Sequence, residues 1–206
     1  MIEAIDLSCT RGERLLFSSV SVRLKPGDLL TVLGENGSGK TSLLRMLCGL
    51  LPPERGTIQW EGRDIGLLKE WYFSQVTYIG HLNGIKDDLT PMENLHISAQ
   101  LCEDTASGTF SVEALEAVGL GRSIHPLPTR VLSQGQKRRV ALARLWLSTR
   151  VFWILDEPFA ALDDGGIRLV TQRLRSHVEQ GGMAVVATHQ EVGFPTGYVH
   201  HLRLSG

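Results

Sequence analysis

Residues 34–41 read Gly34-Glu35-Asn36-Gly37-Ser38-Gly39-Lys40-Thr41, the pattern GxxxxGK[ST], directly after the apolar run 29–33 and directly before a helix-period stretch ending near 47. A glycine loop between a strand and a helix is a phosphate cradle. Its glycines let successive backbone N–H groups converge on phosphate oxygens, and the helix adds the positive end of its dipole. In such a loop Lys40 bridges the β- and γ-phosphates and the Thr41 hydroxyl ligates Mg²⁺, with Ser42 next in line as a further candidate contact. A glycine-rich turn with a solvated lysine is the competing reading, and it leaves the strand before the loop and the helix after it without a reason.

A cradle of this kind needs an α/β core, and the rest of the chain supplies the alternation. Runs at 2–7 and 20–24 read as strands around a turn at Arg11-Gly12, with further short strands at 58–60, 76–79, 151–155 and 184–187 and a last one within 197–204. Helix-period segments at 91–101, 112–118 and 135–147 form a helical insertion over about 82–148, and another helix spans 167–179. The expectation is one domain over 1–206, an α/β core split by that insertion. The balance of 21 basic and 22 acidic residues offers no electrostatic case for nucleic acid as a partner. Cys9, Cys48 and Cys102 are far apart and include no CxxC or CxxCH, so a disulfide framework, a zinc site and covalent haem are not indicated, and a reducing cytosol fits. The first residues lack a signal-type apolar stretch, and no uncharged apolar run is long enough to span a membrane.

A nucleotide site also needs a carboxylate at the end of a buried strand. Val151-Phe152-Trp153-Ile154-Leu155-Asp156-Glu157 provides one, Asp156 to orient Mg²⁺ through its water shell and Glu157 to polarise an attacking water as general base. Alone, such a pair is more often the start of a solvated loop; with the glycine loop it points to NTP hydrolysis.

Between these motifs lies Leu132-Ser133-Gln134-Gly135-Gln136-Lys137-Arg138-Arg139, running into the amphipathic 140–147. The segment resembles the LSGGQ signature of the ABC-type ATPase cassettes, with Gln134 in place of the first glycine. The order of motifs agrees with that family over nearly the whole chain. Asp163 in Ala160-Ala161-Leu162-Asp163 resembles its D-loop, and His189 after Thr188 resembles its switch histidine. The resemblance implies a P-loop NTPase fold with an inserted helical subdomain, ATP and Mg²⁺ as cofactors, and catalysis by Glu157, His189 and Lys40. It also implies a head-to-tail homodimer in which Ser133 and Gly135 of one copy cover the ATP held by Lys40 of the other.

Two positions depart from the family. Where most members carry an aromatic ring to stack on adenine stands Arg11, whose guanidinium can also stack on a purine, and which reads equally well as an exposed loop arginine. Where most have a glutamine near Mg²⁺ stands His81, for which a neutral ring is expected in the active form, since an imidazolium would repel the metal. With the run 78–86 and the turn 11–17, these departures resemble one subfamily, the ATP-binding subunits of cytochrome c biogenesis, described as haem exporters. That likeness implies a peripheral protein on the cytoplasmic face of the bacterial inner membrane. Its partners would be a membrane-spanning CcmB-type subunit and haem-handling proteins, and any haem contact would belong to them. The function implied is ATP hydrolysis coupled to haem export or to release of a haem-loaded chaperone. A soluble ABC-type ATPase acting on DNA or ribosomes is the alternative; such proteins usually carry two cassettes or a long coiled coil, for which 206 residues leave no room. His200 and His201 are expected to be solvated, Cys48 to be a buried thiol, and Trp71, Tyr72 and Phe73 to divide between core and surface.

Replacing His81 by glutamine removes the imidazole and restores the residue type that most of the family carries there. The acid limb of the ATPase pH profile is expected to change in His81→Gln; an unaltered limb excludes the role given to His81.

Overall fold

The near-continuous apolar runs of the sequence are the buried strands of a parallel sheet. The computed structural model describes residues 1–102, 108–189 and 199–204. Two compact units divide the chain, one of Met1–Tyr78, Arg150–Glu157 and His177–Gly206, the other of Ile79–Thr149 and Pro158–Ser176. In chain order the elements are β1 (Ile2–Arg11), β2 (Arg14–Leu24), β3 (Leu29–Leu33), α1 (Lys40–Leu47), β4 (Arg55–Trp60), β5 (Arg63–Asp64), α2 (Ile65–Gln75) and β6 (Val76–Ile79). Helices α3 (Pro91–Cys102), α4 (Gly108–Ala117) and α5 (Gln134–Leu147) follow, then β7 (Phe152–Asp156), α6 (Asp164–Glu179), β8 (Met183–Ala187) and β9 (Val199–Arg203).

In the first unit a five-stranded sheet runs β6-β7-β8-β3-β9, with β7, β8, β3 and β9 mutually parallel, and an antiparallel sheet runs β2-β1-β4-β5. Every residue of β7 and β8 is buried, as strands covered on both faces require. Helix α1 presents Leu43, Leu44, Met46 and Leu47 to the core shared with Leu30, Val32, Phe152, Ile154 and Val185. Burial of those side chains, not helix propensity, holds an eight-residue helix in place. Cys48 lies in the same core, its thiol pushed far up by burial and further by the nearby Asp156 carboxylate. Tyr72 anchors α2 by donating its hydroxyl to the Leu47 carbonyl and packing edge-on against Trp60. Of its neighbours, Trp71 and Phe73 stay 49% and 43% exposed, so the aromatic cluster does divide between core and surface.

Helix α2 is not apparent in the sequence. Its backbone breaks at Lys69 (φ 41°, ψ −116°), so no single 3.6-residue stripe runs through it. The hairpin strands are also longer than the apolar runs at 2–7 and 20–24, because β1 and β2 continue through polar residues to the turn at Gly12.

The second unit packs α3, α4 and α5 around Leu95, Ala99, Leu115, Val118, Val140, Ala143 and Leu147. It extends past the helical stretch read at 82–148: it begins at Ile79 and includes Pro158–Ser176, with most of α6. His200 and His201 are exposed on β9, His200 within 3.6 Å of the Asp28 carboxylate.

Ile154 is fully buried in β7. Ile154→Ala is expected to lower folding stability by about 2–5 kcal/mol, read as a lower urea midpoint with an unchanged m-value.

Candidate functional site

Strand register sets the geometry. Val32 of β3 and Asp156 of β7 both lie opposite Ala187 of β8, so the carboxyl ends of three parallel strands are level. Ligands of parallel α/β sheets bind at that edge. The glycine loop leaves β3 there, and Thr41, at the start of α1, donates its hydroxyl to Asp156 Oδ2 at 2.8 Å. Asp156 is 1% exposed, a carboxylate that burial would make costly without such a partner. A hydroxyl beside a carboxylate is a hard-oxygen donor pair that suits Mg²⁺, which takes one or two carboxylates and fills its shell with water and substrate phosphates. Among the described residues no group of three or more His, Cys, Asp or Glu side chains could hold a metal ion.

Lys40, 7% exposed, donates Nζ to the carbonyls of Gly34 (2.8 Å) and Glu35 (3.0 Å). Its Nζ also lies 3.2 Å from His189 Nε2. The same ring nitrogen is 2.9 Å from Asn36 Oδ1 and 3.2 Å from Glu157 Oε1. As the Nδ1–H tautomer His189 accepts from Lys40; as the Nε2–H tautomer it donates to Asn36 or Glu157. Lys40, Asn36, Glu157 and His189 thus meet at one atom. Glu157 has a left-handed backbone (φ 48°), and its N–H donates to Ala187 O at 2.9 Å. A non-glycine residue in that region costs free energy and persists where its surroundings force it, as they do at functional sites.

The loop itself is shaped for an anion. Gly39 is the N-cap of α1 in a left-handed conformation (φ 96°) with no side-chain cap, so no side chain claims the first-turn amides. A Cβ at Gly39 would lie 2.8 Å from Phe17 Cδ1 and 3.1 Å from Leu16 Cβ, because β2 packs directly on the loop. Beside it opens a cavity of about 590 Å³ walled by Asn36, Ser38, His189, Arg14 and Arg203 among others. Ser38 Oγ is buried there without a hydrogen bond among the described residues. The two arginines escape sequence reasoning, since isolated basic residues on strands carry no motif. Ser42 faces β1, its hydroxyl paired with the Cys9 thiol. Arg11 is exposed at the end of β1, opposite Arg14 in the hairpin.

His81, Ser133, Gly135 and Asp163 belong to the second unit. Ser133 caps α5: its Oγ accepts from Gln136 N (3.2 Å) while Gln136 Oε1 accepts from Ser133 N (2.9 Å). That reciprocal box is written in the sequence as Ser-x-x-Gln, a signal that the signature reading overlooks. Gly135 packs on the next loop, where a Cβ would lie 2.7 Å from Ala161 O. Gln134 is exposed, which explains why this position accepts a side chain and Gly135 does not. Asp163 accepts from the Gly166 amide at the start of α6 and pairs with Arg139 of α5. The amide foremost, and the guanidinium with it, hold its carboxyl below the usual carboxylate range. His81 is exposed in the loop after β6.

Comparison with known proteins agrees with this geometry. Residues 17–160 match the family model described as ABC transporter. The chain is 51% identical, over 99% of its length and 100% of the relative's, to the cytochrome c biogenesis ATP-binding export protein CcmA of Dechloromonas aromatica. It is 43% identical to the protein of that name from Escherichia coli K12, over 100% of this chain and 97% of the relative. Among solved structures, a putative ABC transporter ATP-binding protein from Pyrococcus furiosus superposes with a TM-score of 0.85 at 23% identity, covering 98% of this chain and 96% of its own. An ATP-binding cassette in a dimeric post-hydrolysis state with ADP and Pi gives 0.80 at 22% identity, covering 92% and 88%. At those identities the two structures speak for the fold alone.

At Gly39, an alanine meets both a left-handed backbone, costing on the order of 1–2 kcal/mol, and the Phe17 ring. Gly39→Ala is expected to lower thermal stability and to weaken binding of a fluorescent ATP analogue at least tenfold, as titration would register.

Proposed function

The chain belongs to the ABC transporter family and, with half its residues identical over the full length, to the cytochrome c biogenesis ATP-binding export proteins, and on that premise we propose how its residues divide the work. It is the ATP-binding and ATP-hydrolysing subunit of an ABC transporter complex for c-type cytochrome biogenesis. The observation that carries the assignment of roles is the meeting of Lys40, Asn36, Glu157 and His189 beside the Thr41–Asp156 hydrogen bond.

The backbone of 34–41 binds the triphosphate, and Lys40 gives up its loop carbonyls to hold the β- and γ-phosphates. Thr41 would ligate Mg²⁺ and Asp156 would orient it through its water shell, where the ion would neutralise phosphate charge. Glu157 accepts the proton of the attacking water, and His189, 3.2 Å from its carboxylate, senses the γ-phosphate. Ser133 and Gly135 of a second copy complete the site; because Ser133 Oγ accepts within its own cap, its O–H remains to donate to a phosphate oxygen. Arg11 stacks on the adenine, and a neutral His81 takes the role of the glutamine that most of the family carries at its position.

Closing and opening of the dimer drive a CcmB-type membrane subunit working with haem-handling partners. The work served is haem export or release of a haem-loaded chaperone. No described helix is long and apolar enough to cross a membrane, and a peripheral position on the cytoplasmic face of the bacterial inner membrane follows from the partner. The full-length relatives are named export proteins, which weighs against an ATPase of DNA or ribosomes.

Glu157→Gln separates binding from chemistry. Its ATP affinity should equal the native value, its turnover should fall by about 10²-fold or more, and with ATP it should elute from a sizing column as a dimer. Retained turnover removes Glu157 from the role of base, and a monomer with ATP removes the head-to-tail pairing.

A further inference from the structure

Arg138 lies on α5 five residues beyond the Ser133 cap and is 3% exposed. Fully buried guanidinium groups are rare and are kept where their fixed fan of donors serves several acceptors at once. Here one nitrogen, Nη1, donates to the carbonyl of Gly80 at 3.0 Å and to Asn83 Oδ1 at 3.2 Å, while Nε points to the carbonyl of Pro158 at 3.4 Å. Gly80 immediately precedes His81, and Pro158 immediately follows Glu157. Two loops, 58 and 20 residues away from Arg138 in the chain, are therefore fastened to one side chain at the backbone atoms flanking two of the side chains assigned to hydrolysis.

We propose that Arg138 is a positioning residue for ATP hydrolysis, tying the backbone beside His81 and the backbone beside Glu157 to the helix that begins at Ser133. The inference rests on the reading of Glu157 as base. Its physical basis is the left-handed conformation of Glu157 (φ 48°), which needs restraint on both sides. The Ala187 carbonyl restrains the N–H of Glu157, and Arg138 restrains the peptide that follows Pro158. Arg139 points elsewhere, to the Val118 carbonyl and Asp163, so the two consecutive arginines have separate duties.

The test compares Arg138→Gln and Arg138→Lys with the native full-length chain and with Glu157→Gln, measuring kcat, KM, affinity for a fluorescent ATP analogue and the thermal midpoint. A positioning role lowers kcat of Arg138→Gln by about 10- to 100-fold, the equivalent of losing charge-assisted hydrogen bonds, while KM and affinity stay within about twofold. Arg138→Lys keeps the charge but loses the fork, and its kcat should fall between the two. A kcat of Arg138→Gln within about twofold of native overturns the inference. So does a loss shared in proportion by KM, affinity and thermal midpoint, which marks a packing role. If Arg138→Gln does not fold, native turnover in a folded Arg138→Lys overturns it equally. Glu157→Gln with native turnover would instead overturn the reading of the base on which the inference stands.

Discussion

The hydrogen bond from Thr41 to Asp156 joins residues 115 positions apart, and the rest of the site depends on it. It forms because β8 separates β3 from β7 by one strand and the register brings their carboxyl ends level. A slip of one residue along β7 would turn Asp156 to the other face of the sheet. The apolar burial of β3, β7 and β8 fixes that register, so the hydrophobic core sets the position of the two oxygens. A buried carboxylate in turn needs a polar neighbour, and the first turn of α1 supplies it.

The chemistry of the first unit was legible in the sequence because it is local. The glycine loop is one continuous pattern, and the parallel strands announce themselves as apolar runs that leave no polar face. Asp156 and Glu157 stand at the end of such a run. What stayed hidden depends on distant partners. Helix α2 is broken at Lys69 and held by Tyr72 reaching Leu47, which no periodicity reveals. Helix α6 starts at Asp164 in spite of Gly165 and Gly166, poor helix formers, because the Asp163 side chain accepts the Gly166 amide. Arg138 and Arg139 each donate to backbone carbonyls far away in the chain, and a carbonyl leaves no mark on a sequence.

The signature segment carries two kinds of constraint within five residues. Ser133 and Gln136 form a cap that any Ser-x-x-Gln helix start can use, so these residues are tied to the structure of α5 whatever else they do. Gly135 is tied by space, with Ala161 O occupying the place of a side chain. Gln134 answers to neither constraint, and there the chain departs from the family pattern.

Lys40 is held by two carbonyls of its own loop. The side-chain ordering that a long flexible cation ordinarily forfeits on binding has already been spent in folding. Arrival of a triphosphate then exchanges partners: two neutral oxygens are released and two charged ones accepted. The gain from this residue is the difference in strength between those acceptors, with little entropy lost. A lysine held in this way braces its own loop, and it leaves discrimination among ligands to their negative charge.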